Sequence, residues 1–248
     1  MTVSMTTRAA AASSLSRADW RVAMGAPALY LLLLVGLAQA LALLLLAAAA
    51  VARCGAQSML VYGSLALLLA QLGAGLLTFR WLRQRSAQTR LGGASGFGPV
   101  HNARGWLLAG ETGGLLLALG AAGLAWLLPH PASAPPVMAS LLIALPALPL
   151  ASTLISVLLA PLFEEGVFRG ALLGALAPAL GPLGAGIAST ALFTALHLPE
   201  QAGYGWGLLP IAALGGFAAW LRVRSGSLWP GIVAHVCFNA LVGFGALH

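Results

Sequence analysis

Three charged side chains interrupt the apolar stretch PLFEEGVFRG at residues 161–170. Glu165 and Arg169 are four residues apart, so on a helix they share a face in the order that favours an ion pair. Glu164 lies about 100° further around such a helix, because an α-helix has about 3.6 residues per turn. It has no cation four residues later, so its carboxylate is available to accept a proton from water. Alternatively, all three charges form a buried network that fixes helix packing.

Two further polar pairs occur at the same spacing in later apolar stretches. FTALHLPE contains Phe193 and His197, just before Pro199 ends the predicted helix. HVCFNALVGFG contains His235 and Asn239, whose side chains can both donate hydrogen bonds to a developing oxyanion. Taken alone, His197 is also compatible with a hydrogen-bonded residue at the membrane interface. His235 and Asn239 are compatible with a polar clasp between helices.

Together, the three pairs predict one interior site. An ionisable group at membrane depth costs at least about 2.5–3.5 kcal/mol, so such groups face the interior of a bundle and are functional by default. The candidate catalytic residues are Glu164, His197, His235 and Asn239, supported by Glu165, Arg169 and Phe193, and Glu111 and Glu200 are expected near the ends of spans. The set supplies a base, an orienting group and oxyanion donors without a serine or cysteine nucleophile, so water would be the attacking group.

The composition predicts the scaffold that holds these residues. Of 248 residues, 60% are hydrophobic and 7% are charged, whereas soluble domains carry about a quarter charged residues. Several apolar stretches reach the ~20 residues that a membrane-spanning helix needs. The sequence therefore predicts an all-α, polytopic transmembrane helix bundle. The net charge of +7 comes mainly from arginines before the first span and after the second. This is the positive-inside pattern of a membrane protein with a cytoplasmic N-terminus, and it predicts no nucleic-acid partner.

The predicted spans fall on both sides of the proline-rich turn PHPASAPP. They cover about 26–52, 56–79, 106–128, 183–198, 205–221 and 228–246. A straight helix over the remaining region, 137–177, would be ~60 Å long, twice the thickness of the hydrocarbon. Two crossings there give eight spans, which we favour, and one crossing with a re-entrant piece gives seven. The expected division is an N-terminal transmembrane region at 1–136, with a basic cytoplasmic loop at 80–105, and a motif-bearing membrane domain at 137–248.

The three motifs resemble those of the CPBP family of intramembrane proteases, which includes the CAAX proteases and bacteriocin-processing enzymes and is also called the abortive-infection domain. The family pattern is EExxxR, then FxxxH, then HxxxN on following transmembrane helices. The corresponding segments here are EEGVFR at 164–169, FTALH at 193–197 and HVCFN at 235–239, with FRG at 168–170 and the lead-in LRVRSGSLWPGIVAH at 221–235. The similarity covers about residues 150–245 and leaves the N-terminal region without a motif.

The resemblance implies an intramembrane endopeptidase whose substrate is a membrane-associated protein or peptide. Glu164 with His197 would activate water. His235 and Asn239 would stabilise the tetrahedral oxyanion. The alternative is a non-enzymatic membrane protein of the same fold, either a proton-coupled transporter with a glutamate–histidine relay or a scaffold or immunity factor.

The expected cofactor is none. Members of the family are generally interpreted as glutamate-dependent, and the sequence contains no HExxH motif. The alternative is zinc bound by Glu164, His197 and His235 with one open coordination position. Glu165 and Arg169 would be structural or would position the substrate. The composition favours a bacterial chain in the inner membrane, for which prenylated CAAX substrates are not expected, and it leaves the oligomeric state open.

Overall fold

The computed structural model describes residues 17–51, 56–86, 96–99, 101–128, 154–198, 201 and 204–245. All regular secondary structure in those ranges is helical, as predicted. The α-helices are α1 (Arg17–Val51), α2 (Ala56–Ser86), α3 (Ala103–Leu127), α4 (Ala160–Glu165), α5 (Leu173–Leu196), α6 (Leu208–Ser225) and α7 (Trp229–Gly245). Two π-helical segments, Leu154–Leu159 and Gly166–Leu172, flank α4, and a 3₁₀ turn, Gly205–Gly207, precedes α6.

Four helical stretches in the described residues are long and apolar enough to cross a membrane. They are Trp20–Leu45, Ala103–Leu127, Ile155–Leu196 and Gly205–Ser225, and Trp229–Gly243 is a shorter apolar helix. These stretches do not confirm the predicted count of seven or eight spans. The part of the long predicted region that decides between those counts, 137–153, lies outside the described residues, as does the proline-rich turn.

The predicted break between 177 and 183 is present as a kink. Gly181 has φ 70° and ψ 167° inside α5, a conformation that glycine adopts without the penalty that a Cβ would bring. Pro178 and Pro182 lie on either side and weaken the helical hydrogen bonding there. The stretch Ile155–Leu196 has 42 residues and would be ~60 Å long if straight. Gly181 is therefore the point at which this stretch changes direction.

The predicted cytoplasmic loop begins later than expected. α2 continues to Ser86 instead of ending near residue 79, so it includes Arg80, Arg83 and Arg85. Arginine is a good helix former, so a change from apolar to basic composition marks the end of the hydrocarbon but not the end of the helix. Further along the same loop, Gly96 accepts a hydrogen bond from the backbone of Leu228, at 2.7 Å, and thereby contacts the start of α7.

Most of the buried side chains form two large clusters. The α1–α2–α4 cluster joins α1 and α2 to α4, α5 and the intervening π-helix: Ala23, Tyr30, Ala74, Phe163, Val167, Phe168, Leu172, Leu173, Ala175, Leu176, Ala185, Phe193 and Ala219. The α3–α6–α7 cluster contains Ala118, Leu214, Leu221, Ala234 and Phe238. Glu164 lies on a helix of the first cluster and His235 on a helix of the second, so the site forms where the clusters meet.

Small residues allow α3 and α7 to pack closely. Gly110 and Gly114 are four residues apart on α3 and are both buried. A Cβ on Gly110 would collide with the backbone oxygen of Pro230, and one on Gly114 would collide with that of Ala234. Glycines at this spacing are the usual means by which membrane helices approach one another. The contact fixes the position of α7, which carries His235.

Two acidic residues expected near span ends have different outcomes. Glu111 lies about a third of the way along α3, where its side chain is exposed. It is therefore deeper in the candidate span Ala103–Leu127 than a residue at its end would be. Glu200 lies outside the described residues.

Candidate active site

The Glu165–Arg169 ion pair that the spacing predicts is present and fully buried. Arg169 Nη1 donates to Glu165 Oε1 at 3.0 Å, and the two side chains are 0% and 1% exposed. Arg169 Nη2 donates to the backbone oxygen of Gly215 on α6 at 3.0 Å. The guanidinium carbon lies 4.4 Å from the centre of the Phe193 ring, within the range of a cation–π contact. Arg169 therefore connects α4, α5 and α6 while balancing the charge of Glu165.

His235 lies between the two glutamates. Its Nδ1 is 3.2 Å from Glu165 Oε1, and its Nε2 is 3.8 Å from Glu164 Oε2. An ionised carboxylate only accepts hydrogen bonds, so the Glu165 contact places a proton on Nδ1 and directs Nε2 towards Glu164. The Glu164 side chain is 19% exposed, whereas that of Glu165 is almost inaccessible. Of the two carboxylates, Glu164 is the one that a water molecule can reach.

Phe193 connects the two histidines. His197 Nδ1 lies 2.8 Å from the backbone oxygen of Phe193 one turn earlier. A carbonyl oxygen accepts hydrogen bonds, so Nδ1 carries the proton and Nε2 of the neutral ring is the basic nitrogen. The Phe193 ring centre is 4.6 Å from that of His197 and 5.8 Å from that of His235.

Asn239 lies one turn after His235 on α7, and its amide contacts the backbone of a preceding segment. Asn239 Nδ2 donates to Ser156 O at 2.7 Å, in the π-helix before α4. The sequence predicts that this amide faces the same point as His235. It did not predict the hydrogen bond to Ser156 O. An amide nitrogen carries two hydrogens, so the bond to Ser156 uses one of them. The roles of all four candidate catalytic residues stay predictions.

Two glycines make the space for this buried network. A Cβ on Gly215 would lie 3.0 Å from Arg169 Nη2 and 3.2 Å from Phe193 Cδ1. A Cβ on Gly231 would lie 3.2 Å from Glu165 Oε2. Sequence reasoning missed both positions. The available signal was a glycine inside a helix, which costs about 1 kcal/mol relative to alanine and is therefore informative where it occurs.

The absence of a zinc cofactor stays a prediction. In the described ranges, no three histidine, cysteine, aspartate or glutamate side chains are grouped so that they could hold a metal ion. A structural or catalytic zinc needs at least three protein ligands that converge within about 2.0–2.3 Å of one point.

The fold and the site together define a class of protein. An apolar helical bundle with carboxylates and imidazoles gathered in its interior is suited to hydrolysis by water within the membrane. Residues 144–241 match the Rce1-like family, described as type II CAAX prenyl endopeptidase Rce1-like. The match covers less than half of the 248-residue chain and confirms the predicted similarity to the CPBP intramembrane proteases. No curated protein and no solved structure matches the chain.

The match and the apolar helices agree on the general character of the protein. The matched family is a protease family, which supports endopeptidase activity in general terms. Four candidate spans support an integral membrane protein. A membrane-associated substrate follows from these two findings together.

Proposed function

We propose that this protein is a glutamate-dependent intramembrane endopeptidase in which Glu164 is the general base. The observation that carries the proposal is the 3.8 Å separation of Glu164 Oε2 from His235 Nε2, in a site where Arg169 balances the charge of the neighbouring Glu165. A distance of 3.8 Å is too long for a direct hydrogen bond, so a water molecule that contacts both atoms is a reasonable occupant. Such a water would lie against a proton acceptor and an imidazole.

The reaction requires a proton acceptor and an oxyanion donor. Glu164 takes a proton from water as the oxygen attacks the carbonyl carbon of the scissile peptide bond. The tetrahedral intermediate then loses its C–N bond, and the proton passes from Glu164 to the leaving amine. General acid–base catalysis of this kind contributes typically 10²–10⁴-fold to the rate. His197, whose basic Nε2 follows from its hydrogen bond to Phe193, assists Glu164 in activating water.

His235 and Asn239 are assigned to the oxyanion. Glu165 accepts a hydrogen bond from Nδ1 of His235 and thereby fixes the ring, and the ring would donate to the oxyanion from Nε2 when both nitrogens carry a proton. Asn239 contributes the amide hydrogen that the Ser156 bond does not use, and that bond orients the amide. Oxyanion donors act most strongly when they are fixed before the reaction, because no reorganisation is then needed. Glu165 and Arg169 are thus positioning residues.

The proposed setting is the bacterial inner membrane, with the N-terminus cytoplasmic and a membrane-associated protein or peptide as substrate. The basic residues of α2 and of the loop after it support this orientation, since cytoplasmic segments carry an excess of arginine. No metal cofactor is proposed. The apolar composition of the bundle supports a substrate whose cleaved bond enters from the membrane rather than from water.

The test is a comparison of Glu164→Gln with the wild-type protein. The substitution keeps the shape of the side chain and removes its ability to accept a proton. Membranes from cells that produce either form are compared for newly formed protein N-termini, and each candidate substrate is then incubated with purified protein in liposomes. We expect cleavage by the wild-type protein and a loss of about 10²–10⁴-fold in the variant.

The matched control is Glu111→Gln on α3, which makes the same change at an exposed carboxylate. This control is expected to retain full activity. Equal cleavage by Glu164→Gln and wild type would refute the assigned base. Loss of cleavage accompanied by loss of folded protein would be distinguished by the elution profile and the unfolding midpoint in detergent.

A further inference from the structure

An open groove runs between α5 and α6, and neither Phe193 nor His197 is among the residues that line it. Its volume is about 790 Å³. The groove extends from Pro182 to Leu198 along α5, which corresponds to ~24 Å at the rise of an α-helix. Its lining contains no charged side chain and is hydrophobic apart from two threonines. The groove is therefore an apolar feature that the proposed active site does not use.

The groove combines large exposed side chains with small residues. Leu183, Ile187 and Trp220 line it and are 78%, 62% and 48% exposed. Between them lie small residues such as Ala219, which is buried, and Gly216, which has no atom within 4 Å of its Cβ position. Single apolar side chains on the surface of a membrane helix need no explanation. A concave apolar surface with open space above its glycine is different, because it is shaped to receive a ligand.

The dimensions of the groove favour a hydrocarbon chain over a protein helix. A helix with its side chains is about 10–12 Å across, so a segment ~24 Å long occupies roughly 1,900 Å³ or more, and only part of it could enter. The acyl chains of one leaflet extend across half of the ~30 Å hydrocarbon, which is about 15 Å. A chain of that length fits within the groove. The shape therefore suits the acyl chain of a lipid.

A positive charge lies at the end of the groove where α6 finishes. Trp220 and Val223 line the groove, and Arg224 comes four residues after Trp220, on the same face of the helix. Arg224 is exposed, and in the part of the chain that the structure describes it forms no ion pair. Arg222 instead donates from Nε to the backbone oxygen of Arg169 at 3.4 Å. Arg224 is therefore the cation that a ligand in the groove can reach, and basic pockets between membrane helices bind anionic lipid headgroups.

We propose that the groove binds one anionic phospholipid, with an acyl chain between α5 and α6 and the headgroup phosphate at Arg224. A guanidinium group binds phosphate through charge-assisted hydrogen bonds. The lipid packs against α6, whose Gly215 backbone oxygen accepts a hydrogen bond from Arg169. A bound lipid therefore supports, from the membrane side, the helix that holds the buried arginine in place. The proposal goes beyond the proposed function and does not depend on the role of Glu164.

The first test measures bound lipid by native mass spectrometry of the purified full-length protein. The protein in detergent is mixed with phosphatidylglycerol or with phosphatidylcholine, which here carry the same acyl chains and differ in headgroup charge. We expect one phosphatidylglycerol per chain and little phosphatidylcholine. Gly216→Leu places a side chain in the groove and is expected to lose the bound lipid. Gly120→Leu on α3 is the matched control, because Gly120 also has open space at its Cβ position, and it is expected to keep the lipid.

The headgroup contact is tested by removing the charge of Arg224. A basic residue near the surface contributes enough to anionic lipid binding that Arg224→Gln is expected to weaken binding of phosphatidylglycerol about fivefold. Arg104→Gln removes the same charge at an exposed position near the start of α3, and it is expected to leave binding unchanged. At a lipid concentration about a hundred times Kd, phosphatidylglycerol is expected to raise the unfolding midpoint of the wild-type protein by roughly 5–10 °C.

Fluorescence quenching locates the acyl chain, because bromine atoms on the chain quench a tryptophan that they contact. The protein is placed in phosphatidylcholine vesicles with one brominated phosphatidylglycerol per chain. We expect the quenching to be lost in Trp220→Phe and retained in Trp126→Phe. Trp126 is 83% exposed, so random contact with the membrane would quench it more than Trp220.

The outcomes separate this proposal from the proposed function. Equal retention of the two lipids by the wild-type protein, or quenching that follows Trp126 instead of Trp220, would overturn the site. Unchanged lipid binding in Gly216→Leu, together with weaker cleavage of a membrane substrate, would assign the groove to a substrate segment instead. If Gly216→Leu fails to fold, Arg224→Gln and the quenching measurement decide. A protein that binds phosphatidylglycerol in the groove and cleaves nothing would support this site and refute the peptidase.

Discussion

Glu164 and Glu165 are adjacent in sequence, yet one step around the helix gives their carboxylates different surroundings. On the Glu165 side, the carboxylate is 1% exposed and bonded to Arg169 and His235. On the Glu164 side, the carboxylate is partly accessible and lies 3.8 Å from His235 Nε2. A paired and inaccessible carboxylate is suited to holding other groups in place. The accessible one is suited to proton transfer, so the difference divides a structural from a chemical role.

The largest expected effect comes from removing the charge of Glu165. Glu165→Gln leaves Arg169 buried without an anionic partner, and removing one member of a buried ion pair costs about 3–5 kcal/mol. We expect a large fall in the unfolding midpoint in detergent, together with loss of activity. Glu164→Gln is the matched variant, and we expect it to change the midpoint little while activity is lost. Equal midpoints for the two variants would contradict the division of roles.

A smaller effect is expected from the glycine beneath the ion pair. Gly215→Ala places a methyl group 3.0 Å from Arg169 Nη2 and 3.2 Å from Phe193. Overpacking of a buried site typically costs about 1–3 kcal/mol, so we expect a lower unfolding midpoint and weaker activity. The adjacent Gly216 has no atom within 4 Å of its Cβ position. Gly216→Ala is therefore expected to be neutral or to stabilise the helix by up to about 1 kcal/mol.

One outcome of the Gly215→Ala and Gly216→Ala comparison would contradict the contact between Arg169 and α6. If Gly215→Ala and Gly216→Ala unfold at the same temperature and cleave at the same rate, the Arg169 guanidinium is not held against α6 as the structure has it. Both measurements use purified protein in the same detergent, so differences in membrane insertion do not enter.

The smallest expected effect concerns metal removal. Since the described residues include no group of three metal-ligating side chains, treatment with a chelator is expected to leave cleavage unchanged, and purified protein is expected to contain less than one zinc per chain. Elemental analysis before and after chelation provides the measurement. One tightly bound zinc per chain, with activity lost on its removal and restored by its return, would reverse the assignment of Glu164 as a metal-independent base.

Local spacing predicted the parts of the site that depend on a single helix. The Glu165–Arg169 ion pair follows from residues four apart, and the kink at Gly181 lies in the gap between the predicted segments 137–177 and 183–198. The contacts of His235 with both glutamates join residues 70 positions apart in the case of Glu165. Such a contact depends on how the helices pack. Only the resemblance to the CPBP family and the expectation that ionisable groups face one bundle interior indicated it.

Other contacts in the structure could not be predicted from a single sequence. The bond from Asn239 to Ser156 involves a backbone oxygen, and every residue offers one. The hydrogen bond from Gln71 to the Tyr30 hydroxyl joins helices without a motif, where one tyrosine among apolar residues looks like any membrane residue. The number of spans also stays unsettled, because segment length alone does not decide whether a proline-interrupted stretch crosses once or twice.

The close packing of α3 on α7 has a mechanical consequence. Gly110 and Gly114 allow α3 to pack closely against α7. The backbone hydrogen bond from Leu228 N–H to Gly96 O fixes the start of α7. His235 is therefore positioned from the α3 side of the bundle, while its contact with Glu165 joins α7 to the helix that carries Glu164. A change in the packing of α3 on α7 would alter the 3.8 Å separation of His235 Nε2 from Glu164 Oε2, although neither residue lies on α3.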